Sequence, residues 1–463
     1  MPANQTRRRV EKNSSIHIPG TYTIARAGGL RICSPHIYVP GGATRTSTNY
    51  LINVHRSPCT PRIVLRTLVL LLAGLLLTAC TGGNPSTDAQ LPPGCWADIP
   101  APTLQAGYVQ MGGITAFSDS DIWAVGQQAT LGGEKSTTLT MHWDGAQWSV
   151  IPSLNGADGP ASKNNLYAIA GSSGSDVWAV GAYAPDGAHF KALAMHWDGK
   201  AWSLVSTPNP GALDNTIYDV SATASHDAWA VGSYLAGEHV DAHMMVLHWD
   251  GKSWSQVETP RASTHNLLAV RAVSRDDVWA AGTQVLHWNG REWSVEDTPE
   301  SYTGGYLDGI AVAGPESVWV VGNDGNEGVV LHWDGQRWAG AHSPKLAAGP
   351  YPHEVVALSP DDIWAVGEYA DNPLTRQLLL MRWDGKTWSA LANPLPGEDT
   401  RLLGLAAVDK TLWAVGSRGH DNESKPLFLR YTSEPCDKSK SAKESSYSSD
   451  RQFSSPFASR VAT

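Results

Sequence analysis

Five cysteines and five phenylalanines are few for a chain of 463 residues. No cysteine lies between 96 and 435, so thiol chemistry has no place in that long stretch. Basic charge is also short: the formal net charge is −10, which argues against a general nucleic-acid binder. No apolar run is long enough for a comfortable membrane span. No G-x-S-x-G or other nucleophile motif occurs. What the chain does have is 20 Trp and 45 Gly. Many Trp beside so little Phe point to a repeated motif and not to an ordinary core. With 42% hydrophobic and 17% charged residues, the chain is neither disordered overall nor a pure membrane protein.

The charge is split along the chain. Residues 1–79 carry ten Lys/Arg against the single acid Glu11, a balance of +9, which leaves −19 for the remainder. Within this basic stretch, Arg62 and Arg66 precede an apolar run at 68–77, of signal-peptide length. Leu77-Thr78-Ala79-Cys80 follows and resembles a bacterial lipobox. The resemblance implies cleavage before Cys80, lipidation of its thiol and a lipid anchor in the cell envelope, at the plasma membrane or an outer membrane. Residues 62–79 are then the signal peptide and 80–94 a polar tether. Residues 1–61 read as an unstructured leader, and no Met stands between Met1 and Met111. Either translation starts later, at a non-Met codon, or the leader is unusually long.

A tetrapeptide W-A-V-G, or a close variant, starts at Trp123, Trp178, Trp229, Trp279, Trp319, Trp364 and Trp413, at spacings of 55, 51, 50, 40, 45 and 49 residues. The first six copies are followed by H-W-D-G-x-x-W, beginning at His142, His196, His248, His287, His332 and Arg382 (Asn289 replaces Asp in the fourth). Each copy reads as four short strands, and Asp-Gly or Asn-Gly marks a tight hairpin. In the second copy the expected strands are 166–171, 177–183, 193–197 and 201–205. Four-stranded units of 40–55 residues predict an all-β, seven-bladed propeller over 95–436. The seventh copy lacks its fourth strand, and the segment starting Cys95-Trp96 matches the missing pattern. The N-terminal strand is therefore expected to close the last blade, and Cys95 and Cys436 to form a disulfide in an exported protein.

The pattern resembles the repeats of bacterial exported propeller lipoproteins. It is also similar to tectonin repeats and, more distantly, to kelch and Asp-box propellers. The tectonin likeness implies glycan or lipopolysaccharide binding, but the repeats here are longer.

The recurrent residues read as scaffold. The seven W-A-V-G Trp should wedge between neighbouring blades, with Ala and Gly beside them where adjacent sheets approach. The acids before them (Asp121, Asp176, Asp227, Asp277, Glu316, Asp362) are placed in the hairpin turn between first and second strands. The repeated His lie on separate blades and cannot converge on one metal ion. Function is expected on the opposite, loop-rich face, at 127–138, 182–191, 234–244, 323–328, 368–377 and 417–425. There, His239, Asp241 and His243 alternate, so an extended strand would present them together to a divalent cation. Glu238, just before them, joins the candidate ligand set; a hydrated polar loop is the competing reading. Asp371, Arg376, His420 and Asp421 complete the candidate ligand set. No other cofactor is indicated.

Residues 95–436 carry 19 basic and 39 acidic residues, a balance of −20 that favours cationic or neutral partners. The leading expectation is a monomeric, lipid-anchored binding or interaction scaffold for a surface glycan or protein. A carbohydrate-active enzyme is the alternative. Two carboxylates with raised pKa facing each other in one pocket would favour it. The Ser-rich 437–463 tail is expected to be disordered.

Overall fold

The computed structural model describes residues 94–433, except 131–132, 238–241, 261–265, 303, 342, 345–348, 373–374 and 421–422. The stretches expected to be leader, signal peptide with Cys80 and most of the tether, together with Cys436 and the Ser-rich tail, lie outside the described residues. No helix occurs among the residues described.

The strands form seven four-stranded antiparallel sheets, the blades of a β-propeller. Six blades take their strands in chain order. In the seventh, the closing strand Cys95–Asp98 pairs with the strand Lys425–Thr432, which brings Trp96 opposite Tyr431. The second blade shows how the sequence sets the elements. Its strands are Lys163–Ser173, Asp176–Ala184, Lys191–Trp197 and Trp202–Leu204; the first three are longer than the pattern predicts at the loop-rich end and the fourth is shorter. The last hairpin turns at Gly199, whose φ of 87° explains the glycine, and Asp198 Oδ1 accepts the N–H groups of Lys200 and Ala201.

Seven hydrophobic clusters hold the ring, each built from two neighbouring blades. At each seam a W-A-V-G Trp meets two aromatic rings of the next blade. Trp178 lies 4.8 Å from Trp249 and 5.0 Å from Trp254, centroid to centroid. At the closing seam Trp364 meets Trp96 at 6.3 Å and Tyr431 at 4.5 Å, so Tyr431 takes the third-strand Trp position. In all seven seams the fourth-strand Trp crosses the wedge Trp edge to face. Those fourth-strand indole N–H groups have no hydrogen-bond partner, and a ring face is the weak acceptor left to them.

Two details differ from the sequence reading. The W-A-V-G glycine does not accommodate a neighbouring blade. It accommodates the inner strand of its own blade: a Cβ on Gly232 would stand 1.9 Å from the Thr216 carbonyl oxygen. Of the recurrent acids only Glu316 sits in the turn. Asp121, Asp176, Asp227, Asp277 and Asp362 each open the second strand. There they hold the His or Arg of the third strand, at 2.6 Å for Asp176–His196 and 2.7 Å for Asp362–Arg382. In the fifth blade Ser317, not Glu316, occupies this position, and its hydroxyl lies 3.2 Å from His332 Nε2. Each His also packs on its blade's Trp, at 4.0–4.6 Å between centroids, and Arg382 and Arg430 lie over Trp364 and Trp413. In four blades an imidazole, and in the sixth a guanidinium, is thus pinned between a carboxylate and an indole face.

Candidate functional site in the axial channel

The inner strands of the blades are Tyr108–Ser118, Lys163–Ser173, Asn215–Ala224, Leu267–Ser274, Tyr306–Gly314, Tyr351–Ser359 and Thr400–Val408. Each is bulged at the same level. In the third blade Ile217 pairs with Gly232 and Asp219 with Val231, which leaves Tyr218 out of the ladder. The other six blades show the same shift. The extra residues are Gly112, Tyr167, Tyr218, Leu268, Asp308, His353 and Leu403. A bulge re-aims side chains and increases local twist. Here it turns this ring of residues, with Asp219 and Glu354 beside it, toward the axis. Together they line a channel cavity of about 150 Å³.

The chemistry of this ring is acidic and aromatic. Burial pushes the Glu354 carboxyl up to about 8, with repulsion from Asp219 and Asp308 adding and Arg271 opposing. Burial likewise raises Asp308 to about 7 and Asp219 to about 6. His353 is held neutral: burial, then the Arg401 charge, lowers it to about 4. The ring has few internal partners. Asp219 accepts the N–H groups of Val220 and Val270 at 2.8 and 2.7 Å. Glu354 Oε1 accepts only the N–H of the next residue, Val355, at 3.0 Å. The Asp308 carboxyl takes a hydrogen bond from the Tyr351 hydroxyl, and its Oδ2 lies 3.9 Å from His353 Nδ1. Three carboxyl groups with raised values thus share the lining of the channel.

A second cavity, of about 340 Å³, opens beside the channel and shares Tyr167 and Tyr218 with it. Phe190, Tyr234 and Ala242 add apolar wall, and Asp214, Thr216, Ser233 and Asn266 add polar groups. Tyr167 and Tyr218 stand 5.9 Å apart between the two cavities, and Asn266 Oδ1 is buried with no hydrogen-bond partner.

The predicted site residues are dispersed. Glu238, His239, Asp241 and Asp421 lie outside the described residues. His243 sits in the strand Ala242–Trp249 and stacks on Tyr234 at 5.1 Å. Asp371 falls within the strand Asp362–Asn372 and Arg376 in the strand Thr375–Trp383, so most of the expected 368–377 loop is sheet. Arg376 and His420 do come together, on the buried Asp399: Arg376 Nε lies 3.7 Å from Oδ1 and His420 Nδ1 3.0 Å from Oδ2. Cys95 opens the closing strand opposite Thr432, four residues before Cys436 in the chain.

The channel residues were missed, although a signal exists. Counting back 14 residues from the W-A-V-G glycine lands on the bulged residue in six copies, and 13 in the seventh. Read at that register, the repeats carry Gly, Tyr, Leu, Asp and His, whereas the wedge position keeps Trp throughout.

Comparison with known proteins finds no matching family model and no matching curated protein. Among solved structures, the chain is similar to "YCF48 bound to D1 peptide", with 15% identity over 74% of this chain and 96% of that one, at a TM-score of 0.49. It is also similar to "YCF48 from Cyanidioschyzon merolae", with 15% identity over 73% and 98% of the two chains, at a TM-score of 0.46.

Proposed function

We propose that this propeller is an extracytoplasmic binding scaffold, lipid-anchored through Cys80 in the cell envelope, that takes a glycan on its loop-rich face. The observation that carries this reading is the open cavity walled by Tyr167, Phe190, Tyr218 and Tyr234 beside Asp214, Thr216, Ser233 and Asn266. Sugars present apolar C–H faces and hydroxyl edges, and a site for them needs flat apolar surface next to hydrogen-bonding groups. The −20 balance of residues 95–436 suits a neutral or cationic glycan and opposes lipopolysaccharide phosphates.

The test is a glycan-binding screen with the full chain in detergent, followed by titration of the hits. Tyr218→Ala and Tyr234→Ala should weaken binding at least tenfold while the fold persists by circular dichroism. Absence of any glycan binding at millimolar concentration, or binding indifferent to both substitutions, would refute the assignment. The anchor is tested separately: a fatty-acid label should appear on the wild type and be lost in Cys80→Ser.

A second reading is favoured by the raised carboxyls of Asp308 and Glu354, which suit general-acid work near neutral pH. It predicts slow consumption of the bound glycan, abolished by Glu354→Gln.

A further inference from the structure

The closing seam departs from the other six in two ways. Tyr431 stands where the other blades carry Trp, and no Asp-Gly or Asn-Gly turn joins its strand to the fourth, because the two strands come from opposite ends of the propeller sequence. A cavity of about 260 Å³ opens at this seam, between the sixth and seventh blades. Trp96, Trp364, Tyr431, Leu391 and Pro394 give it apolar walls, and Arg382 and Asn393 add polar groups. Apolar walls left without partner atoms forfeit their packing contacts, so filling this cavity is favourable. The chain itself leads into it. Gly94, the first described residue, is part of the cavity wall. Its backbone lies so close to Tyr431 that a Cβ would stand 1.8 Å from the hydroxyl oxygen, so the chain is still inside the seam at this point. Leu91-Pro92-Pro93 comes immediately before it and lies outside the described residues. Three residues reach about 10 Å at most, so Leu91 stays close to the cavity. Pro92 and Pro93 each have a fixed φ, which lowers the conformational entropy that docking would cost.

We propose that Leu91-Pro92-Pro93 docks in the closing-seam cavity, with the Leu91 side chain between the closing strand and the outer edge of the sixth blade. The segment then covers the end of the seam that a tight turn covers in the other blades. Docking has a consequence that rests on the anchoring at Cys80 and the glycan cavity proposed above. Residues 80–90 remain as the undocked tether and span at most about 40 Å, which keeps the closing seam beside the membrane. In a ring of seven, the third blade lies across from the seam of the sixth and seventh. The cavity walled by Tyr218 and Tyr234 belongs to that third blade, so the docked tether holds it on the side of the ring away from the anchor.

The experiment places a benzophenone amino acid at Ala392, an exposed residue on the cavity wall, in the full chain in detergent. A second protein carries it at Ser206, the exposed equivalent position at the seam of the second and third blades. After illumination, mass spectrometry locates the cross-links. The probe at Ala392 should join residues 85–93 at least fivefold more often than the probe at Ser206 does. Leu91→Asp should lower the Ala392 yield at least fivefold while circular dichroism stays unchanged. Equal yields at the two seams would overturn the proposal, because a tether that sweeps the whole rim would give them. Cross-links to 434–463 in place of 85–93 would give the cavity to the C-terminal segment and overturn it too. So would the absence of any cross-link within the chain, or a yield indifferent to Leu91→Asp. Docking and anchoring fail separately, since the fatty-acid label on Cys80 reads the anchor and the cross-link reads the seam.

Discussion

Glu354→Gln should stabilise the propeller at alkaline pH and flatten its dependence on pH. Glu354 titrates at about 8 in the folded chain against an ordinary value of 4.5. Between those values the folded protein keeps a proton that the unfolded chain has released. This contribution is therefore fullest below pH 4.5 and is lost as the pH rises through about 8. The full shift corresponds to about 5 kcal/mol at 1.36 kcal/mol per unit. His353 works in the opposite sense: its value of about 4 means that the unfolded chain takes a proton below 6.5 while the folded chain stays neutral. Its contribution grows from pH 4 to 6.5, where it partly cancels the carboxyl effect. The clean window is pH 6.5 to 8. Over that interval Glu354 alone should cost about 2 kcal/mol, while Asp308 adds a smaller loss up to about pH 7. Urea unfolding followed by Trp fluorescence at pH 6.5 and 8 measures the difference. The wild type should lose about 2 kcal/mol more than Glu354→Gln over this range. Parallel losses in the two proteins would refute the placement of a protonated Glu354 in the channel.

Three further outcomes are expected. Gly232→Ala should cost more than about 2 kcal/mol in the same unfolding assay, because its Cβ meets the Thr216 carbonyl oxygen at 1.9 Å. Gly237→Ala, where nothing lies within 4 Å, should cost much less, and equal effects would discard the close-approach argument. Asp227→Ala should cost about 1–3 kcal/mol, because it strips His248 and the Thr223 hydroxyl of a nearly buried partner. Asp277→Ala, with its more exposed His287 pair, should cost less, and the reverse order would count against burial as the cause. If Cys95 and Cys436 are bonded as proposed, reductant should lower the melting temperature of the wild type but not of Cys95→Ser. A bond closing a loop of about 340 residues corresponds to about 6 kcal/mol on the chain-entropy account. An unchanged wild-type melting temperature would leave strand pairing as the whole closure.

The repeat exposed the fold and hid the site for the same physical reason. Every seam, and every blade within itself, asks the same task of its residues. Trp178 must fill the gap to Trp249 and Trp254, and Gly232 must clear the Thr216 carbonyl, and the equivalent positions in the other blades answer with the same residue types. Recurrence in sequence is then a direct image of recurrence in packing, and even the exchange of Tyr431 for Trp at the last seam keeps a ring in place. The axis imposes no such sameness. Seven bulges push seven side chains into one small cavity, where seven copies of any large residue would collide and seven glycines would leave a void. The ring must mix sizes, and it does: Gly112, Leu268 and Leu403 stand with Tyr167, Tyr218, Asp308 and His353. Packing alone explains the mixture of sizes but not the placing of carboxyl groups there, where burial and mutual repulsion raise the pKa of Glu354. A leucine or alanine in their place would avoid that cost. The loops that vary most in length led the sequence reading toward His239, Asp241 and His243, whereas the groups that carry this unfavourable burial lie on strands. Variation at a fixed register inside the repeat is therefore the signal that reveals where these carboxyl groups lie.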